Sequence, residues 1–172
     1  MQPPLPRDLA LLLAVQRAFP GTAAVIGARG LSLLGEHAAA WLAIGATAAA
    51  VDRDRRRGWC SATVSVAVSH AASVAIKRLV RRQRPLHVRL MVHSGGLGRW
   101  GFPSSHTAST TTAALAFRQL TGARWILALP PAMGLSRLIV GAHFPSDVVA
   151  GAALGVATAD AHRRLRWQGG RP

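Results

Sequence analysis

Charge and apolarity are segregated along this chain: long Ala, Val, Leu and Gly runs are broken by short arginine-rich turns rather than alternating with them on helical faces. Such a pattern suits helices surrounded by apolar matter, with cationic loops at their ends. Half of the 172 residues are hydrophobic although the formal net charge is +15. A nucleic-acid-binding domain shares the basic balance but not apolar runs of near membrane-spanning length, so the chain is expected to be a membrane protein that binds no nucleic acid. Its length suits one domain, residues 1–172.

Reading along the chain, residues 9–18 form a short amphipathic helix stopped near Pro20-Gly21, and residues 22–34 a second; both are expected to lie in the membrane interface. Residues 35–162 then form a transmembrane core of five helices, at 37–51, 61–80, 104–120, 125–140 and 146–161, followed by a basic tail over 163–172. The first of these spans is short. Residues 86–102 make a polar, Gly-rich loop, long for a connection and therefore a candidate functional segment. No strand alternation and no internal repeat is visible, so the expected class is all-α. Cys60 is the single cysteine and leaves the redox compartment unread. The N-terminal apolar stretch is too short for a secretory signal and is expected to stay in the protein.

An alternating path through five spans has a chemical consequence. Lys77 and Arg84 end the second span, His106 opens the third, Arg137 and His143 end the fourth, and Asp147 opens the fifth. All of these groups then meet at one membrane face. The opposite face would carry the turns at 53–57 and 118–124 and the tail, with Trp59, Trp125 and Trp167 as an aromatic belt.

That set of side chains contains the parts needed to cleave a phosphoester. Lys77 is the only lysine among 21 basic residues, which makes solubility a poor reason for it. Arg84 and Arg137 offer planar forks to phosphoryl oxygens, and Lys77 a compact charge. Pro103-Ser104-Ser105 reads as a helix opening, Ser104 being its cap, where free N–H groups favour an anion. Pro145 fits the first turn of the last span, and Asp147 suits its positive end. His143 and Asp147 suggest a nucleophile with its orienting carboxylate, and His106 an acid for the leaving alkoxide. No metal is required, since three fixed cations take its place, and no Cys/His spacing resembles a zinc site.

Lys77-x6-Arg84-Pro85, Pro103-Ser104-Ser105-His106 and Ser136-Arg137-x5-His143-x3-Asp147 together resemble the three-part signature of the type 2 phosphatidic acid phosphatase (PAP2) superfamily. The resemblance implies a helical fold, a phosphohistidine on His143, acid catalysis by His106, phosphate binding by Lys77, Arg84, Ser104, Ser105 and Arg137, and no cofactor. Ser105 departs from the family's usual glycine, which questions the backbone contact at that position more than the reaction. Gly35-Glu36-His37, the run from Ile76 to Pro85 and Leu135-Ser136-Arg137 further resemble members acting on a polyprenyl-linked ribose phosphate on the route to cell-wall arabinan, in the bacterial plasma membrane. A polyprenyl-diphosphate or phosphatidate-type lipid is the alternative substrate, and a non-catalytic protein binding anionic lipid the alternative of another class.

Other residues carry two readings. Arg78, Arg81 and Arg82 form a collar at the membrane surface or touch the substrate headgroup, Arg81 being the candidate contact. Glu36, the only glutamate, and His37 beside it reach sugar hydroxyls, or Glu36 pairs with a site arginine. His70 reads as a hydrogen-bonded core residue. Oligomeric state and the face that holds the site stay open.

Overall fold

Pro and Gly punctuate the chain where its helices stop. In the computed structural model, which describes residues 6–93 and 98–169 apart from the side chains at 37 and 166–169, every regular element is helical. The order is α1 (Arg7–Ala18), α2 (Thr22–Leu34), a 3-10 turn (Glu36–Ala38), α3 (Ala39–Val51), α4 (Arg56–Val80), α5 (Ser105–Thr121), a second 3-10 turn (Arg124–Ala128), α6 (Leu129–Ile139) and α7 (Pro145–Gly169). Gly95-Gly96 and the side chains of His37, Arg166 and Trp167 fall outside the described part.

Several boundaries differ from expectation for identifiable reasons. α4 starts at Arg56 rather than at 61, because the arginines at 56 and 57 are good helix formers whose charges can point away from the core. The expected span at 125–140 is divided: Pro130 and Pro131 lack N–H donors and sit at the start of α6, so the preceding turn is 3-10. α7 runs on through the basic tail, where Arg163 and Arg164 both pair with Asp160 one turn back.

α5 is the central post, packed against α4, α6 and α7. Most of it is buried although it is rich in Ser and Thr. Thr111 Oγ1 apart, its buried hydroxyls bond to carbonyls and neighbours: Thr112 donates to Ala108 O at 3.1 Å and Gly155 O at 3.2 Å, and Thr110 accepts from Trp41 Nε1 at 3.0 Å. Close backbone approach and such bonds supply cohesion along α5. Gly151 and Gly155 on α7 permit that approach, since a Cβ at either would lie 2.4 Å from Ser104 O or 2.6 Å from Ala108 O.

Trp59 corrects the expected aromatic belt. It is buried, donates to Asp52 Oδ2 at 3.0 Å, and packs on Phe117 with ring centroids 5.3 Å apart. Its indole has a protein partner and so needs no headgroup. Trp125 is exposed. Exposed Leu11, Ile26, Leu33, Val64, Val68 and Val149 form apolar outer surface on α1, α2, α4 and α7.

Among the described residues, α4 alone is a single helix long and apolar enough to cross a bilayer, while α1 and α2 meet that test only as a pair bent by 117°. α3, with 13 residues, is about 20 Å long, short of a hydrocarbon layer of about 30 Å.

The tight α5–α7 seam generates a test. Gly155→Ala is expected to lower the thermal midpoint in detergent, by a loss of about 1–3 kcal/mol, because the added carbon meets backbone and cannot be relieved by a rotamer change. An unchanged midpoint would contradict this packing.

Candidate active site

Four helix ends converge at one end of the bundle: the last turn of α4, the first of α5, the last of α6 and the first of α7. The backbone ties them together before any side chain does. Ser104 N donates to Asp147 O at 2.9 Å, joining the starts of α5 and α7, and Ala142 N donates to Arg137 O at 3.0 Å. After α4, Arg81 takes a left-handed conformation, φ 52°, that turns the chain so that Gly101 N reaches Arg82 O at 2.8 Å. Gln83 and Trp100 form an isolated antiparallel bridge there.

His143 lies in the short link between α6 and α7 and is 1% exposed. Arg84 Nη1 approaches its Nε2 at 3.1 Å, which assigns the ring proton to Nδ1. Nδ1 is 3.6 Å from Asp147 Oδ2, longer than a formed hydrogen bond. Burial pushes the imidazole well below its ordinary value of 6.5, and the charges of Arg84, Arg137 and Lys77 push it the same way, against a smaller opposing effect of the Gly101 carbonyl. The ring is therefore neutral at neutral pH.

Asp147 is fully buried and held from two sides. Its Oδ2 accepts from Phe144 N at 2.9 Å, a reach back over the first turn of α7, and its Oδ1 accepts from Arg82 Nη1 at 2.9 Å. Gly101 packs on this carboxylate; a Cβ there would lie 3.1 Å from Oδ2.

The three expected cations are held differently. Lys77 Nζ donates to Gly101 O at 3.1 Å and Pro103 O at 2.5 Å. Arg84 donates to Gly98 O and Ala142 O, both at 2.7 Å, and burial lowers its pKa from the usual value. Arg137 is the exception. It is 2% exposed, yet its Nε and Nη2 have no hydrogen-bond partner. A buried guanidinium left so costs stability, and an anion arriving between it and His143 would satisfy it.

A cavity of about 310 Å³ opens on this cluster, lined among others by Lys77, Arg84, Ser105, His106, His143 and Glu36. Ser104 caps α5, its Oγ accepting from Thr107 N at 3.4 Å. Ser105 begins that helix without the positive φ that would have required glycine, and its Oγ accepts from Ser73 at 2.7 Å. His106 borders the cavity beside Gly35, where a Cβ would come within 2.8 Å of the ring.

Lys77, Arg84, Ser104, Ser105, His106, Arg137, His143 and Asp147 are thus brought together. Glu36 borders the cavity and acts electrostatically on Arg137. Arg81 does not line the cavity: its left-handed position leaves it exposed, with Nε on Arg78 O at 3.0 Å, whereas Arg78 does line it. Arg82, read as collar, is turned inward onto Asp147 and Asp8. Asp8 and Ser73 were passed over in the sequence. For Asp8 the one available signal was an acid in a chain that has only six. His70 lines the same cavity.

Residues 58–170 match the family model described as PAP2 superfamily. The chain is 46% identical over 143 residues to a decaprenylphosphoryl-5-phosphoribose phosphatase of Mycolicibacterium smegmatis, covering 83% of this chain and 79% of that protein. It is 45% identical over 151 residues to the protein of the same name from Mycobacterium tuberculosis, covering 86% and 84%. The crystal structure of Aquifex aeolicus LpxE superposes with a TM-score of 0.76 at 17% identity, over 93% of this chain and 96% of that one.

The unpartnered guanidinium yields a prediction of opposite signs. Arg137→Met, similar in reach but uncharged, is expected to raise the thermal midpoint of the empty protein while weakening vanadate binding at least about tenfold. A lower midpoint with unchanged vanadate affinity would contradict it.

Proposed function

The chain belongs to the PAP2 superfamily, and on that footing we propose that it is an integral membrane phosphatase acting on decaprenylphosphoryl-5-phosphoribose, from which it releases the 5-phosphate to leave decaprenylphosphoryl-ribose for arabinan precursor synthesis. Substantial identity over most of the chain to two phosphatases of that name supports the substrate. The observation that carries the reaction is the buried, unsatisfied pair of Arg137 nitrogens beside a neutral His143.

The phosphoryl group sits in the cavity against His143, with its non-bridging oxygens toward Arg137, Arg84 and Lys77. Arg84 then exchanges its contact with His143 for a phosphoryl oxygen. His143 Nε2 attacks phosphorus, a nitrogen–phosphorus bond forms, and the bond to the ribose 5-oxygen breaks. His106 supplies the proton that this oxygen needs to leave. Asp147 receives the hydrogen bond of Nδ1–H and stabilises the positive charge that the ring acquires. Water next attacks phosphorus, His106 takes its proton, the nitrogen–phosphorus bond breaks, and inorganic phosphate departs. The cations stabilise the charge of the five-coordinate state more than that of the bound ester, which is the source of rate enhancement. Ser104 and Ser105 add donors at the start of α5.

We also propose that α3 to α7 cross the bacterial plasma membrane, α6 together with its preceding 3-10 turn, and that residues 1–172 act as one domain. Glu36 and Arg78 on the cavity wall meet the ribose and its link to the lipid, and His37 is proposed as a further substrate contact.

Purified protein is expected to release phosphate from this lipid faster than from a polyprenyl diphosphate or a phosphatidate, and His143→Ala to abolish release while retaining the lipid. Equal release by His143→Ala would overturn the mechanism. The neutral ring sets a pH dependence as well. Because its pKa is depressed, His143 stays unprotonated on acidification through 6.5 and is lost as a nucleophile only at lower pH. The acid limb of kcat/KM against pH is therefore expected below 6.5, and a limb at the ordinary imidazole value would contradict the burial and charge assigned to this ring.

A further inference from the structure

Asp8 lies in α1, outside the stretch that matches the family model, and has no part in the chemistry above. One guanidinium nonetheless connects it to the deepest carboxylate of the site. Arg82 Nη2 donates to Asp8 Oδ2 at 2.7 Å, and Arg82 Nη1 donates to Asp147 Oδ1 at 2.9 Å and to Ser146 Oγ at 2.5 Å. Asp8 Oδ1 in turn accepts from Ser146 N at 3.1 Å, in the first turn of α7, and its Oδ2 accepts from Ser146 Oγ. The Arg82 guanidinium carbon stands 4.5 Å from the centroid of the Phe144 ring. The guanidinium is thus pinned by two carboxylates, a hydroxyl and an aromatic face.

We propose that Asp8 and Arg82 are positioning residues for the reaction, Asp8 holding Arg82 so that Arg82 fixes the Asp147 carboxylate in the plane that serves His143. This rests on the phosphatase reading above and extends the working site to α1.

The two Asp147 oxygens have different donors. Phe144 N takes Asp147 Oδ2 and Arg82 takes Oδ1, so two donors on different oxygens define how the carboxylate is turned. In that orientation Oδ2 faces His143 Nδ1 at 3.6 Å. A long guanidinium side chain anchored only at Asp147 has other choices: it can turn to solvent, or bind both Asp147 oxygens as a fork and draw Oδ2 away from the imidazole. Asp8 removes those choices by occupying Nη2. An exposed ion pair would contribute little, but this one joins side chains one third and one quarter exposed to one that is fully buried. The same helix is fastened elsewhere, since Gln16 donates to Met91 O at 2.8 Å and Ile139 O at 3.1 Å, so α1 is a fixed base from which Asp8 can act.

The test measures phosphate release from decaprenylphosphoryl-5-phosphoribose by the full chain, with kcat expressed per vanadate-binding site so that misfolded protein does not count. Asp8→Asn is expected to lower kcat about tenfold with KM within twofold, a size usual for residues sharing one hydrogen-bond network. Arg82→Gln should do the same, and the double variant should fall no further than Arg82→Gln alone. Arg82→Lys, which keeps the charge but cannot hold two carboxylates as a fork, is expected to lose a similar factor. Wild-type kcat per site in Asp8→Asn or Arg82→Lys, losses that multiply in the double variant, or a loss confined to the number of vanadate sites would overturn the inference and leave the phosphatase reading standing. No release by the unmodified chain would remove that reading and the inference with it.

Discussion

The arrangement depends on a guanidinium buried at the centre of a cationic cluster with two nitrogens unsatisfied. Arg137 cannot reach water, and the described side chains around it offer its Nε and Nη2 no hydrogen-bond acceptor. A protein retains such a group when something else completes it, because the folded state bears the cost whenever the site is empty. The same cluster keeps the neighbouring imidazole neutral, so the electrostatics that attract an anion also leave that ring a free lone pair, as the proposed reaction requires. On the proposed reading, the charge of a phosphoryl group complements this cluster both in binding and in reaction.

Holding that many cations together requires a rigid frame, and the frame is a matter of close helix approach. α5 carries small and hydroxyl-bearing residues on nearly every side, and the glycines of α7 let its backbone touch the start of α5. Ser104 N on Asp147 O then locks the two helix starts in register. Lys77 is fastened to the carbonyls of Gly101 and Pro103, which places its charge without a carboxylate to neutralise it. Asp8 and Asp147 are instead paired with Arg82.

Much of this was legible in the sequence, for physical reasons. Apolar runs separated by charged turns specify helices, and alternation of their direction places Lys77, Arg84, His106, Arg137 and His143 at one end before any coordinate is known. Pro145 and Ser104 marked helix starts correctly because a missing N–H and a capping hydroxyl act locally. What escaped depends on direction at a turn or on contacts far apart in sequence. Arg81 and Arg82 are neighbours in a run of basic residues, and only the left-handed turn at Arg81 sends one outward and the other in. Asp8 meets Arg82 across 74 residues, and no periodicity reports such a pairing. Trp59 was misplaced because its partner Phe117 lies on another helix.

The central claim is that one phosphoryl group is gripped by Arg137 and attacked by His143, and a structure with vanadate bound tests it most directly. Vanadium is expected within bonding distance of His143 Nε2, with Arg137 Nε and Nη2 donating to its equatorial oxygens and Arg84 drawn off the imidazole. Vanadate bound elsewhere on the protein, or at this cavity with both Arg137 nitrogens still unpaired, would contradict the account.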